Sequence, residues 1–312
     1  MNDAREVPPT RRERFRATLL GAAIGDALGA PAQFLTPEQV GERWGVLTEM
    51  VGGGPHDVAP GETTDATGMM LCLAESLADQ GGFAPEDVAR RYLAWFQSNP
   101  KDVALTVRTA LLGIKAGTSL DLASRRAFEV LGSPTAGNAS LMRCAPVALC
   151  YFTDRQTRRD VSLRESALTH FDRLAGWACA AFNELLAAAL AGQLRRRLLP
   201  IAAGFDEEDS RVSATLREAA VAEPEEIHSS AAVLDTLKAA LWSTLQAHSF
   251  EEALVTAVNL GNDSDTTGAV AGALAGALFG ERAIPARWLN TVAERERVET
   301  VANCLADLAG ID

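Results

Sequence analysis

Two short clusters in the sequence carry more oxygen donors than their surroundings require. One is Thr64-Asp65-Ala66-Thr67 and the other is Asp263-Ser264-Asp265-Thr266, each directly before a helix-patterned run. Either can serve as a helix N-cap, because Asp and Thr oxygens accept from the free N–H groups of a first turn. One cap needs one side chain, however, and each cluster offers several. The surplus suits a hard divalent cation, since Mg2+ and Mn2+ take carboxylate, hydroxyl and water oxygens. Asp263 and Asp265, separated by one residue, can point into one site from a tight turn. Three carboxylates gathered without a cation would repel by about 4 kcal/mol per pair at about 4 Å in an intermediate dielectric.

Other single residues have two readings each. Asp102, in Pro100-Lys-Asp-Val-Ala104, either caps the helix that begins near Ala104 or works as an acid or base. His170 follows Thr169 and precedes Phe171, the setting of a satisfied interior histidine. Asn138, after Gly137, reads as an ordinary turn residue. Asp26 lies in the middle of an apolar helix, where a carboxylate that caps or supports is expected rather than one that reacts.

The elements that must position these groups are helical. Apolar residues recur at steps of three and four over residues 14–28, 65–79, 85–97, 104–117, 120–131, 173–192, 231–247 and 266–279. Strand-type alternation of Val, Ile and Thr never lasts more than a few residues. The fold class is therefore all-α, as one domain over residues 12–312 after a flexible tail of residues 1–11. Gly268, Gly272 and Gly276 recur every fourth residue in the last of these helices. A helix-interior Gly costs about 1 kcal/mol relative to Ala, so three on one face imply that another backbone comes close. Gly280 then reads as the stop. The connections rich in Gly, Pro, Asn and Asp are residues 52–62, 98–102, 132–140 and 261–265, and an acidic stretch over residues 206–226 reads as a solvated excursion.

Composition narrows the classes of function. With 47% apolar and 22% charged residues over 312 positions, the chain has the balance of a globular protein with a sizeable core. Lys plus Arg number 29 against 41 Asp plus Glu, a formal charge of −12, which argues against bulk nucleic acid as a partner. The longest apolar stretch, residues 269–279, is well short of the roughly 20 residues that span a bilayer. No secretory pattern opens the chain. The five cysteines have no CxxC pair and read as free buried thiols, which fits a cytoplasmic protein.

Five segments, in order, resemble the ADP-ribosylglycohydrolase family, the group of dinitrogenase reductase-activating glycohydrolase and the ADP-ribosyl-acceptor hydrolases. They are Gly21-Ala-Ala-Ile-Gly-Asp-Ala-Leu-Gly-Ala-Pro31, Thr64-Asp-Ala-Thr67, Gly137-Asn-Ala-Ser-Leu-Met-Arg-Cys-Ala-Pro146, Ser166-Ala-Leu-Thr-His170 and Val258-Asn-Leu-Gly-Asn-Asp-Ser-Asp-Thr-Thr-Gly268. The resemblance implies an orthogonal bundle with a binuclear Mg2+ or Mn2+ centre in a cleft, and hydrolysis of the bond between ADP-ribose and an acceptor. It implies Thr64, Asp65, Asp263, Asp265 and Thr266 as metal ligands. Gly137, Asn138 and Ser140 would line the ADP-ribose groove, and His170 would face the nucleotide. Asp65 and Asp102 would belong to the catalytic set, with Asp102 near the scissile ribose. ADP-ribose or an ADP-ribosylated protein is the implied partner.

The departures bear on activity. Ala66 stands where the family usually has the second Asp of Thr-Asp-Asp-Thr, a catalytic position. Alanine cannot ligate, so one metal site is weakened. Gln33 stands where many relatives carry Glu, Leu105 where Asn is frequent, and Ala139 where Gly is frequent. These changes fit a disabled enzyme, by engineering or by recent loss. They also fit a natural module that binds ADP-ribose or an ADP-ribosylated partner without cleaving it.

Overall fold

The computed structural model describes residues 8–132 and 136–312. Sixteen α-helices form its regular structure together with three short 3-10 turns. The only β pairing among the described residues is two isolated bridges, Gly53 with Val58 and Gly137 with Ala232. The all-α expectation holds. The expected tail over residues 1–11 lies outside the described residues for its first seven positions. Beyond them, Thr10 caps the first helix by accepting from the Glu13 N–H, and Arg11 is its first residue.

Two helices form the axis, Arg11–Gly29 and Ser264–Phe279. They run antiparallel with their backbones in contact. A Cβ added at Gly21 would lie 2.1 Å from the carbonyl oxygen of Gly272, and one at Gly25 would lie 1.9 Å from that of Gly268. The register continues at both ends, where Gly29 meets Ser264 and Gly276 meets Ala17. The close backbone approach expected from the second glycine stripe is therefore present, and its partner is a matching stripe on the first helix. Both helices are buried along most of their length because neighbours surround the pair. Val233–Gln246 and Phe250–Val258 pack against the second, while Asp65–Gln80 and Arg295–Leu308 pack against the first. One contiguous apolar core runs from Phe15 to Ile311.

Several helices without an apolar stripe escape the sequence pattern. Arg155–Ser166 is the clearest case, capped by Asp154 through the Thr157 N–H. Its inward face carries Arg158 and Glu165, which pair with Glu184 and Arg143. Burial there is bought with ion pairs, so no hydrophobic period appears. The acidic stretch is solvated at residues 206–208 and 223–226, as expected, and it also holds the helix Ser210–Ala219, with Asp209 capping that helix and Asp206 bonded to Arg217. All five cysteines are free, as expected, but only Cys72, Cys144 and Cys179 are buried; Cys304 is exposed.

A methyl group cannot enter the helix contact without moving backbone. Gly25→Ala is expected to lower stability by about 2–3 kcal/mol, the range of a strained, overpacked core, read as a lower midpoint in urea at unchanged slope. A change below about 0.5 kcal/mol, typical of surface substitutions, would show that the two backbones do not touch.

Candidate active site

The axis pair sets where the acids can go. Asp26 sits one turn before the end of the first helix, fully buried. It accepts the N–H and the hydroxyl of Thr64 at 3.0 and 2.7 Å, and those of Thr67 at 3.0 and 2.5 Å. The Asp65–Gln80 helix is thus capped from another helix. Thr64 is its N-cap residue, yet makes no side-chain cap bond of its own, and neither does Asp263 at the start of Ser264–Phe279. Neither N-cap residue therefore caps its own helix; in the second cluster Asp265 accepts one first-turn N–H, from Thr266, and the remaining oxygens are left for other work. Burial pushes the Asp26 carboxyl up to about 6, against the pull of its Thr67 and Thr64 hydrogen bonds.

Four further carboxylates gather around that cap. Asp65 Oδ2 accepts the Ala104 N–H at 3.0 Å. Asp65, not Asp102, therefore serves the helix Leu105–Lys115. Asp265 accepts the Thr64 hydroxyl at 3.2 Å and the Thr266 N–H at 2.8 Å. Asp263 Oδ2 accepts from the Asn138 amide at 2.8 Å. Asn138 also donates to Thr236 Oγ1 at 2.8 Å, so it is a buried strut that orients Asp263 rather than a plain turn residue. Asp102 takes the Gln33 amide at 3.3 Å, with His56 Nε2 at the same distance. With Gln rather than Glu at position 33, Asp102 faces a donor instead of another negative charge.

No Lys or Arg among the described residues pairs with Asp26, Asp65, Asp263 or Asp265. Asp65 is held well above the usual carboxylate range, by burial first and then by the charge of Asp102. Asp265 is raised likewise, by burial and then by Asp263. Among the described residues, no three His, Cys, Asp or Glu side chains close on a common metal position.

Two cavities meet at Asp102. The first, about 330 Å³, is lined by Asp65, Asp102, Asp263 and Thr266 together with Gly137, Asn138 and His170. The second, about 350 Å³, is lined by Thr64, Trp95, Lys101 and Arg297. Phe34, 68% exposed at φ 66°, stands at the rim of the first. Its N–H bonds to the Asn262 carbonyl at 2.6 Å, which ties the loop after the first helix to the loop before Asp263. Three sequence-predicted residues line neither cavity. Ser140 is fully buried against Ser166 and Cys179, Ala66 is buried in the core, and Asp265 is buried beside Thr64 and Thr266. His170 is not a satisfied interior histidine, because its Nε2 has no partner.

The comparisons decide the family. The family model described as ADP-ribosylglycohydrolase matches residues 7–311. The chain belongs to the ADP-ribosylglycohydrolase family. It is 32% identical to ADP-ribosyl-[dinitrogen reductase] glycohydrolase of Rhodospirillum rubrum, over 97% of this chain and 99% of that one. It is also 32% identical to the ADP-ribosylarginine hydrolase Tri1 of Pseudomonas putida, over 97% and 80%. A solved ADP-ribosylglycohydrolase-related protein complex superposes with a TM-score of 0.81 at 36% identity, over 96% of this chain and 99% of that one. Among the described residues no helix is long and apolar enough to cross a membrane.

The acid cluster carries a stability cost that can be read. A carboxyl with a raised pKa costs the fold nothing while protonated and progressively more as pH rises through that pKa. Asp265→Asn removes one charge and keeps a carbonyl for the Thr266 N–H. In a chelating buffer it is expected to raise stability by on the order of 1 kcal/mol, or about 2–4 °C in Tm, with the gain growing as pH rises. An unchanged or lower Tm at every pH would contradict the repulsion.

Proposed function

We propose that the protein hydrolyses the bond between ADP-ribose and an acceptor side chain of a modified protein. The observation that carries this reading is a single cavity lined both by Asp65, Asp102 and Asp263 and by Gly137, Asn138 and His170. A nucleotide held beside Gly137 and His170 would bring its terminal ribose to the acids. The names of the relatives support an ADP-ribosylated protein as the substrate class and arginine as the first acceptor to try.

The donor chemistry fits a hard divalent cation. Asp65, Asp263 and Asp265, with the hydroxyls of Thr64 and Thr266, would hold Mg2+ or Mn2+, and Ala66 would leave one of two sites a donor short. Bound there, such ions supply positive charge that lowers the pKa of water and polarises sugar oxygens. The chain's own residues do the rest. Asn138 holds Asp263 in place through the 2.8 Å bond. Gln33 holds Asp102 at the junction of the two cavities. As the bond from the anomeric carbon to the acceptor nitrogen breaks, water forms the new bond to that carbon. Asp102 takes the proton of the water and hands it to the departing nitrogen. Positioned proton transfer of this kind contributes about 10²–10⁴ in rate.

A second reading rests on Ala66. With that donor missing, the chain binds ADP-ribose or an ADP-ribosylated partner without cleaving it. Release of ADP-ribose from an arginine-modified protein distinguishes the two. The native chain is expected to be slow and Ala66→Asp faster by about 10² or more, with both rates lost on chelation and on Asp263→Ala. Asp102→Asn should cost a similar factor in kcat. An inert Ala66→Asp protein that binds ADP-ribose would establish the binding module. Hydrolysis that persists without metal would overturn the cation site.

A further inference from the structure

His170 lines the first cavity with a ring that is tied on one side only. Its Nδ1 lies 2.8 Å from Thr169 Oγ1, while Nε2 is buried without a partner. A Cβ at Gly137 would stand 3.5 Å from Nε2, and Gly137 and His170 both line the cavity.

The partner of the ring is itself committed. Thr169 Oγ1 accepts from Arg143 Nη2 at 2.9 Å. An arginine can only donate, so the direction of that bond is fixed. Arg143 is fully buried, with its Nε on Glu165 Oε1 at 2.7 Å. Glu165 Oε1 also accepts the Tyr92 hydroxyl at 2.7 Å, and the guanidinium lies over the Tyr92 ring at 4.7 Å. Arg143 is thus clamped and cannot turn away from Thr169.

The Thr169 hydroxyl is fully buried, and its own proton has one acceptor in reach, His170 Nδ1. The opposite assignment, with Nδ1–H donating to Oγ1, strands that proton and leaves Nε2 as a bare acceptor, two unmet polar groups instead of one. The ring proton therefore belongs on Nε2, on the side of Gly137. Burial and then the Arg143 charge pull the His170 pKa down to about 3, so the ring stays neutral in its working range.

We propose that Arg143 and Thr169 are positioning residues: through the Thr169 hydroxyl they hold His170 as the neutral Nε2–H tautomer, and the cavity presents a fixed, uncharged donor to an acceptor atom of bound ADP-ribose. This rests on the reading of the cavity as the ADP-ribose site. It explains why a ring next to a buried guanidinium keeps one nitrogen unpaired. An uncharged donor holds its direction whatever the charge of the neighbouring acids.

The test uses the full chain labelled with 15N in its histidine rings, with the His170 signals assigned by their loss in His170→Asn. The native protein is expected to carry the ring proton on Nε2. Thr169→Ser should keep that tautomer and bind ADP-ribose within about threefold of the native chain by calorimetry. Thr169→Val should lose the preference and bind at least about tenfold more weakly. A native ring protonated on Nδ1 overturns the proposal, and so does a folded Thr169→Val protein with native affinity. If Thr169→Val does not fold, the native and Thr169→Ser spectra and affinities decide. If the tautomer is as expected and no form binds ADP-ribose, the positioning role falls together with the reading of the cavity. If ADP-ribose binds and the tautomer is wrong, the proposal alone falls.

Discussion

Backbone contact between two antiparallel helices fixes where every acid of the site can sit. Gly21, Gly25 and Gly29 on one helix meet Gly272, Gly268 and Ser264 on the other with no side chain between them. The last contact includes a hydrogen bond, from Ser264 Oγ to the Gly29 carbonyl at 2.8 Å. Asp26 and Asp265 thereby start from helix ends that cannot separate. Asp26 then captures the first turn of a third helix through Thr64 and Thr67, and Thr64 reaches back to Asp265. Three helix ends are locked to one another by these contacts, and Asp65 and Asp263 have no freedom to avoid the cluster.

Such an arrangement opposes the ordinary logic of a core. Buried carboxylates without a cation keep their protons and lower stability. Natural proteins tolerate this at sites where function needs it and compensate elsewhere. The compensation is visible here as close packing around the axis pair and as buried ion pairs, Arg143 with Glu165 and Arg158 with Glu184, at a distance from the acids. The same Arg143 reaches the His170 end of the cavity through Thr169, so one buried guanidinium serves both packing and the site.

Much of this is legible in the sequence because it rests on residue type and spacing. The stripe Gly268, Gly272, Gly276 announces a close backbone neighbour, and the two Asp and Thr clusters announce more oxygens than capping needs. Local sequence does not say which backbone is the neighbour. The matching Gly21, Gly25, Gly29 stripe lies some 240 positions away in a motif that reads first as a family signature. Asp26 is read as a capping or supporting carboxylate, and the structure adds that it caps a different helix. Ser140 is misplaced because a short loop can turn a hydroxyl either to the groove or to the core, and Ser166 and Cys179 draw it inward. Arg155–Ser166 is missed because its buried face is ionic, and Gln33 shows its role only beside Asp102.

The central claim is that the acids brought together by the glycine contact form a cation site. Binding of Mn2+ to the native chain, followed by its anomalous scattering in a crystal, tests that most directly. The account predicts a Mn2+ peak among Asp65, Asp263 and Asp265, lost in Asp265→Asn, and a second, weaker or missing peak on the side of Ala66. A well-ordered crystal in saturating Mn2+ with no peak among these residues would contradict it.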